Sequence, residues 1–476
     1  GHPILQYFIY KNIILHNLYG VDILREAVEI AKLRLFLKLM ATVEANYRKP
    51  NLGLEPLPDL DFNIRAGNTL IGYASKVEID SISGLFINED VKRKILEECD
   101  TIAMAFQRFR EIQLENLTEY LDFKKAKDEL SSRLRILKSG LDRILFSEHY
   151  AEQVYEEWHT THQPFHWFAE FYGIIHDKGG FDVIIGNPPY VEYRTNVDYQ
   201  LSVFGFKTLK CGNLYSFVLE RSDAIARKFS YLGMIVPMSL TSIRDFHTLR
   251  NYLAHSYTNS WITNHSIRPI PLFNGISQRV SIFIGYKNYN PQPMIYTTNY
   301  LRYKGDSKAL FETIEYGLSQ KEMSIDSIIP KIGNTFQVSI WHSISKDTNS
   351  LNAYFRNSSN YQLHIKDYGE TYWIFPFSFA PYLTPVKSYK TLAVESEEIK
   401  KILAVVYNSS LFYWYHTIIS DCWHFGKWHM QKFPFDLNHL ENNHKLTLLK
   451  THETLMDSYI ENRIERFDKR INSNLY

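Results

Sequence analysis

Hydrophobic residues in the first part of the chain fall into two rhythms, short continuous runs and longer stretches at helical spacing. Pro3 to His16 reads as an amphipathic helix. Leu18 to Ile23 is a short apolar strand, and Glu26 to about Glu44 follows as a helix with Val28, Ala31, Leu35 and Leu39 at helical intervals. The Pro/Gly-rich stretch Pro50 to Pro58 interrupts the pattern, and Phe62 to Ala66 predicts another strand ending at Gly67. From about Asn88 to Glu157 the chain is charged and helix-periodic, with Val91 to Glu98 and Phe123 to Leu137 resembling a helical hairpin inserted into the fold. Phe181 to Ile185 is apolar except for Asp182 and stops at Gly186 before two prolines, the pattern of a strand buried in the middle of a parallel sheet. A helix over Leu214 to Phe229 and strands over Leu232 to Val236, Trp261 to Ile267 and Val280 to Tyr286 complete the alternation. Strands alternating with helices predict a doubly wound α/β domain over residues 1–287, with a helical insertion at about 88–157. After Asn288 to Pro293 the signals shorten, so a second domain is placed at 288–476, ending in a helix from Leu446 to about Ile471.

Length agrees with two domains, because 476 residues exceed what one core organises. Fifty-three Lys+Arg against 52 Asp+Glu leave a net charge of +1, so a polyanion must find a local basic surface rather than a global field. The run Lys92-Arg93-Lys94 is interspersed with acids and reads as a solvated helical face. Cys99, Cys211 and Cys422 lie far apart, which excludes a disulfide scaffold and favours a reducing compartment. No apolar run approaches the roughly 20 residues of a bilayer span, and no signal peptide is visible. The expected location is cytoplasmic, with no membrane partner.

The distinctive chemistry follows the Phe181 strand, at Asn187-Pro188-Pro189-Tyr190. Ligands of open α/β sheets bind beyond strand carboxyl ends. An exocyclic amino group on a nucleobase is a poor nucleophile because its lone pair is delocalised into the ring. Acceptors placed against its two hydrogens favour a pyramidal nitrogen and release that lone pair. The Asn187 side-chain oxygen and the Pro188 carbonyl are such acceptors, and proline brings no competing N–H. Tyr190 offers a face on which an extrahelical base stacks, worth roughly 1–3 kcal/mol. The plainer alternative is a rigid Pro-Pro turn with Tyr190 as packing.

The decapeptide from Phe181 to Tyr190 resembles the catalytic motif of amino-methylating DNA methyltransferases, in the version that marks adenine-N6 enzymes of the TaqI type and the methylase part of fused type II restriction–modification proteins. The resemblance implies a class I, Rossmann-like fold and S-adenosylmethionine as cofactor. Leu18 to Ile23 is similar to the family's second cofactor strand, which assigns the ribose hydroxyls to Asp22, with Ile23 beside it. Ile64 to Leu70 is similar to the next motif, which assigns the cofactor's adenine to Asn68. The later motifs are matched at Gly212 to Phe217 and at Gly233 to Pro237. Phe273, ahead of Gln278-Arg279-Val280, resembles the aromatic that meets the flipped adenine. Asn187, Pro188, Pro189 and Tyr190 inherit the catalytic positions, Asn187 also bordering the cofactor. Asn408 to Phe412 and Phe433-Pro434-Phe435 look like the TaqI-type specificity domain, so residues 288–476 are expected to be an α+β target-recognition domain for double-stranded DNA.

One element of the family pattern is missing. The strand and glycine loop that cradle the cofactor's methionine part should precede Tyr19, and no such motif is present. The core is therefore expected to lack its first, central strand and to bind cofactor poorly as it stands. No nuclease signature is visible, which leaves cleavage to a missing domain or subunit. Two rival functions remain: a methylase fragment that binds DNA without turnover, and a methyltransferase acting on glutamine in protein. His159, His162 and His166 suggest a metal site superficially, but Pro164 breaks their alignment, and Cys422, His424 and His429 match no structural zinc spacing. No metal is expected. Trp423, Lys427, Trp428 and Lys432 interleave aromatics with cations and suit contacts to DNA, a solvated loop being the alternative.

Overall fold

The computed structural model describes the chain except for residues 1–4, 44–46, 49–51, 53–54, 84–87, 115–119, 198, 289–291, 303–304, 306, 320–325, 346–349, 367–375, 380–388, 463–465, 469–472 and 476. It divides into two compact units, Gly1–Leu232 and Gly233–Tyr476.

Unit 1 opens with α1 (Leu5–Asn17), β1 (Gly20–Asp22), α2 (Arg25–Met40) and β2 (Ile64–Ala66), close to the elements the periodicity predicts. β1 and β2 pair in parallel, Asp22 opposite Ala66. Tyr7, Leu15, Leu39 and Leu60 form a small core beneath them. The other face of α2 is also apolar, yet Ile30, Leu33 and Leu37 are more than half exposed.

The insertion is a helical hairpin of α3 (Glu89–Leu114) and α4 (Tyr120–His149), followed by α5 (Tyr155–His162). Ile95, Cys99, Ile102 and Phe109 of α3 pack with Leu130, Leu134, Leu137, Leu141 and Leu145 of α4 in one core with Trp158 and Phe168. Each such leucine contributes roughly 1.5–3 kcal/mol by leaving water, so the hairpin holds itself together through its own stripe. Arg93, in the basic run, lies on the solvent side within reach of Asp90 and Glu97. α5 ends at His162 because Gln163 turns left-handed (φ 46) ahead of Pro164.

β3 (Phe181–Gly186) corrects one expectation. Instead of lying buried in a sheet, Val183 is 59% and Ile185 81% exposed. The reason is topological. β3 stands at the end of its strand order, beside β4 (Ala226–Pro237), while β1 and β2 form a separate two-stranded sheet. A second correction concerns α6 (Leu214–Ile225), expected to reach Phe229. Ala226 onward is strand instead, because β4 runs beside β3, where Asp182 pairs with Arg227 and Gly180 approaches so closely that a Cβ would lie 2.5 Å from the Ile225 carbonyl. Strand pairing overrides helical periodicity there.

Unit 2 begins within β4, at Gly233, and continues with α7 (His247–Ser256), β5 (Asn259–His265), β6 (Val280–Tyr286), β7 (Met294–Leu301) and β8 (Gly317–Ser319). The order is β4-β6-β5-β7-β8, β5 antiparallel to β6 and parallel to β7. The sheet thus continues past residue 287. Beyond it come α8 (Thr335–Ile344), the antiparallel pair β9 (Gln362–Lys366) and β10 (Tyr389–Ala393), α9 (Glu397–Tyr407), α10 (Ser410–Ile419), the short α11 (Lys427–Gln431) and α12 (Asn442–Glu461). Ser396 and Ser409 cap α9 and α10 by accepting the backbone N–H groups of Ile399 and Phe412. Trp341, Tyr407, Phe412, Tyr415 and Phe433 fill the core. The last helix stops at Glu461, short of the expected Ile471, and Arg466–Asp468 pairs with Ser473–Leu475 beyond it; residues 469–472 lie outside the described set. Among the described residues no helix is long and apolar enough to cross a membrane.

Candidate functional site

β3 delivers Asn187-Pro188-Pro189-Tyr190 directly from its carboxyl end. Pro188 is buried, Asn187 and Pro189 are exposed, and Tyr190 is half-buried. The Tyr190 hydroxyl donates to Asn187 Oδ1 at 2.9 Å, which orients the amide with its oxygen toward the ring edge. A carbonyl oxygen has two acceptor sites, so one is available to a second donor. Burial pushes the Tyr190 phenol up to about 12, keeping that donor protonated. The following turn is stapled: Leu214 N–H donates to Val191 O at 2.9 Å and Tyr193 N–H to Gly212 O at 2.9 Å, Gly212 being left-handed (φ 66). Asn213 caps α6 through the Tyr215 N–H.

The proposed cofactor residues sit at the matching ends of the parallel β1–β2 pair. Asp22 Oδ1 accepts the Leu24 N–H at 2.8 Å and its carboxylate is exposed. Gly67 N–H donates to the Asp22 carbonyl at 2.9 Å, and Asn68 N–H to the Gln163 carbonyl at 2.8 Å. Asn68 is 4% exposed. Its Oδ1 accepts the Leu70 N–H at 3.1 Å, whereas its buried Nδ2 makes no well-formed hydrogen bond. Ile23, 40% exposed, and Gly67 border a cavity of about 1200 Å³ whose far wall comes from α4 and α5. Gly67 and Gly72 permit this packing: a Cβ on Gly67 would meet the Phe165 ring at 2.8 Å, and one on Gly72 (φ 126) the Phe165 carbonyl at 2.4 Å.

A buried charge network floors the cavity. Glu170 binds Arg65 and Lys138, and Asp142 meets His166 Nε2 at 3.0 Å and His159 Nε2 at 3.3 Å. Because His166 Nδ1 accepts the Tyr73 N–H at 3.1 Å, the proton sits on Nε2 and faces Asp142. His166 also stacks on Tyr73, and His162 packs edge-on against Tyr150. These histidines are packing and hydrogen-bonding groups. Among the described residues no cluster of His, Cys, Asp and Glu is arranged to hold a metal ion.

Phe273 and the proposed DNA contacts belong to unit 2. Phe273 is 36% exposed, in the loop between β5 and β6. Trp428 and Lys432 are brought together around Asp326: Trp428 Nε1 donates to Oδ2 at 2.8 Å, Lys432 Nζ lies 3.5 Å from Oδ1, and Arg244 lies over the Trp428 ring. Lys427 is apart from that group, its ammonium 5.6 Å from the Phe355 ring centre. Two contributors escaped the sequence. Glu220 orders the loop before α6 by accepting the N–H groups of Lys207 and Thr208 at 2.9 Å each, and Arg279 meets Trp423 and Tyr300. Glu220 stands beside Arg221, Ser222 and Asp223 and carried no local signal, and Arg279 was read only within the Gln278-Arg279-Val280 match, since its partners are distant in sequence.

Residues 16–268 match the family described as Eco57I restriction-modification methylase. A protein of Methanocaldococcus jannaschii named as a type II restriction enzyme and methyltransferase is 28% identical over 323 residues, which are 56% of this chain and 26% of that protein. Among solved structures, the type IIL restriction-modification enzyme MmeI in complex with DNA aligns over 97% of this chain and 72% of its own, at 10% identity and a TM-score of 0.38. The ATP-dependent type ISP restriction-modification enzyme LlaBIII bound to DNA aligns over 77% and 37%, at 10% identity and a TM-score of 0.35.

Proposed function

Because this chain belongs to the Eco57I restriction-modification methylase family, we propose that it is the methylating part of a restriction–modification system and acts on N6 of an adenine flipped out of duplex DNA. The observation that carries this reading is Asn187, exposed at the end of β3 with its Oδ1 held by the Tyr190 hydroxyl. The target amino group donates one hydrogen to Asn187 Oδ1 and the other to the Pro188 carbonyl, which leaves its lone pair out of the ring plane. Tyr190 stacks on the purine, and the family resemblance assigns Phe273 of unit 2 to the same base. S-adenosylmethionine, when bound, supplies the methyl group. The amino nitrogen takes that methyl in a direct displacement, the sulfur keeps the bond's electrons, and the proton lost from nitrogen passes to water. Nothing in the step requires a covalent adduct with this chain.

Asp22 and Asn68 fit the cofactor's adenosine half. An exposed carboxylate suits two ribose hydroxyls, and the buried Asn68 amide, beside the Tyr199 hydroxyl, suits a purine ring nitrogen, with Ile23 against the base. The split between β1–β2 and β3 and the exposure of Val183 and Ile185 support a core that lacks its central strand, whose glycine loop would hold the methionine half. On this reading the 476 residues supply one half of the cofactor site, and cleavage falls to a nuclease domain or subunit outside them.

Labelled cofactor incubated with the chain, together with its coding sequence extended upstream, and with either duplex DNA or protein tests the assignment. Label in adenine of DNA is expected. Label in glutamine alone would refute it. Calorimetric titration of the 476-residue chain with S-adenosylmethionine should show weak binding, and submicromolar affinity would refute the half-site.

A further inference from the structure

The two stems of the loop of residues 266–279, which carries Phe273, are joined through the side chains of Arg279 and Tyr300. Arg279 Nε donates to the Tyr300 hydroxyl at 2.8 Å. That hydroxyl donates to Ser266 Oγ at 3.0 Å, and the same Oγ accepts the Arg268 N–H at 3.0 Å. Ser266 N–H meets the Leu301 carbonyl at 2.9 Å, and the Arg279 carbonyl accepts the Met238 N–H at 3.0 Å. Between the stems the chain forms no regular element, and its tip is exposed at Ile270 and Phe273.

The face of the same guanidinium lies 4.8 Å from the Trp423 ring centre. Trp423 belongs to a rigid turn. Asp421 Oδ1 accepts the N–H groups of Trp423 and His424 at 3.0 and 2.8 Å, and Cys422 is left-handed with φ 57. Buried Lys331 anchors the residues just before it by donating to the Ile418 and Ser420 carbonyls at 3.1 and 2.5 Å. This turn leads directly into α11, which carries Lys427 and Trp428. One planar cation on the second stem therefore reaches the first stem through the Tyr300 hydroxyl and touches the start of the segment proposed to meet DNA, a geometry that suits arginine and not lysine.

We propose that Arg279 is a positioning residue that ties the Phe273 loop to the Trp423 turn, so that engagement of duplex DNA by the turn and α11 sets the conformation of the loop that carries Phe273. This rests on the DNA reading above. Hydrogen exchange of the full chain, with and without sheared genomic duplex DNA, tests it on the wild type, Arg279→Gln, Trp423→Leu and the double variant. In the wild type DNA should slow exchange across 266–279 by about tenfold. Arg279→Gln should still bind DNA and melt near the wild-type temperature, yet lose that protection; Trp423→Leu and the double variant, compared at DNA concentrations that saturate each of them, should lose it too, the double variant doing no worse than either single. Arg279→Lys should recover only part of it. Protection that survives in either single variant, additive losses, or faster exchange throughout the unit would overturn the coupling. If the wild type binds no duplex, the DNA reading fails, and the tie is judged on the free protein. Faster, non-additive exchange of 266–279 in the variants then upholds it, and unchanged exchange overturns it.

Discussion

Acidification from pH 7 to pH 5 should strip a large part of the stability of unit 2, through two histidines held neutral by burial. His265, at the end of β5, has its Nε2 2.7 Å from Thr263 Oγ1 and its Nδ1 buried without a partner. His429 accepts the Gly426 N–H at 3.0 Å and stacks on Phe425. Burial lowers both to about 4, against about 6.5 in an unfolded chain. Between those values the unfolded state binds a proton that the folded state refuses, so stability falls as pH drops from about 6.5 toward 4. At pH 5 the linkage costs about 2 kcal/mol for each histidine, roughly 4 kcal/mol together. Set against the 5–15 kcal/mol of a typical domain, that should lower Tm by about 10 °C. Scanning calorimetry at the two pH values measures it, and His429→Gln should remove about half of the difference. A Tm that stays flat between pH 7 and 5, or a difference that the His265→Gln, His429→Gln double variant leaves undiminished, would refute the reasoning; burial also lowers His416, His364 and His452, so a smaller difference should remain.

Three further outcomes follow from the site. Tyr190→Phe removes the donor that orients Asn187 while keeping the stacking face, and should slow methyl transfer about two- to tenfold, in line with roughly 0.5–1.5 kcal/mol for one hydrogen bond; single-turnover kinetics with an upstream-extended chain will read it. Asn68→Leu should weaken S-adenosylmethionine binding to the same extended protein by about tenfold or more, and should also lower Tm, because it leaves the buried Leu70 N–H without the acceptor it has in Asn68 Oδ1; calorimetric titration of folded protein decides the binding. Gly72→Ala forces a side chain into a left-handed backbone and against the Phe165 carbonyl, and should cost about 1–3 kcal/mol of unit 1 stability in denaturant melts.

Much of the fold was legible in periodicity. The Phe62 run, the helical insertion and the later strands appear near their expected positions because each buries a local apolar pattern, and the Leu18 run appears as a strand through its parallel pairing with β2. What escaped was set by partners. The exposure of Val183 and Ile185 depends on which strand lies beside β3, and Ala226 to Phe229 became strand because β3 runs next to them. Candidate residues at strand ends were readable from sequence position: Asp22 and Asn68 sit at the ends of the parallel β1 and β2, and Asn187 follows β3. The Arg65–Glu170–Lys138 network and the Arg279–Trp423 contact join residues with no local pattern, so only the tertiary fold reveals them.

The bare edge of β3 also governs how the isolated protein behaves in a test tube. Among the described residues its outer backbone groups have no strand neighbour, and its aliphatic side chains face solvent. Such an edge recruits another extended segment, so light scattering should climb steeply with concentration and storage at high titre should bring opalescence. A short charged gatekeeper at Ile185 is the natural remedy for anyone purifying it.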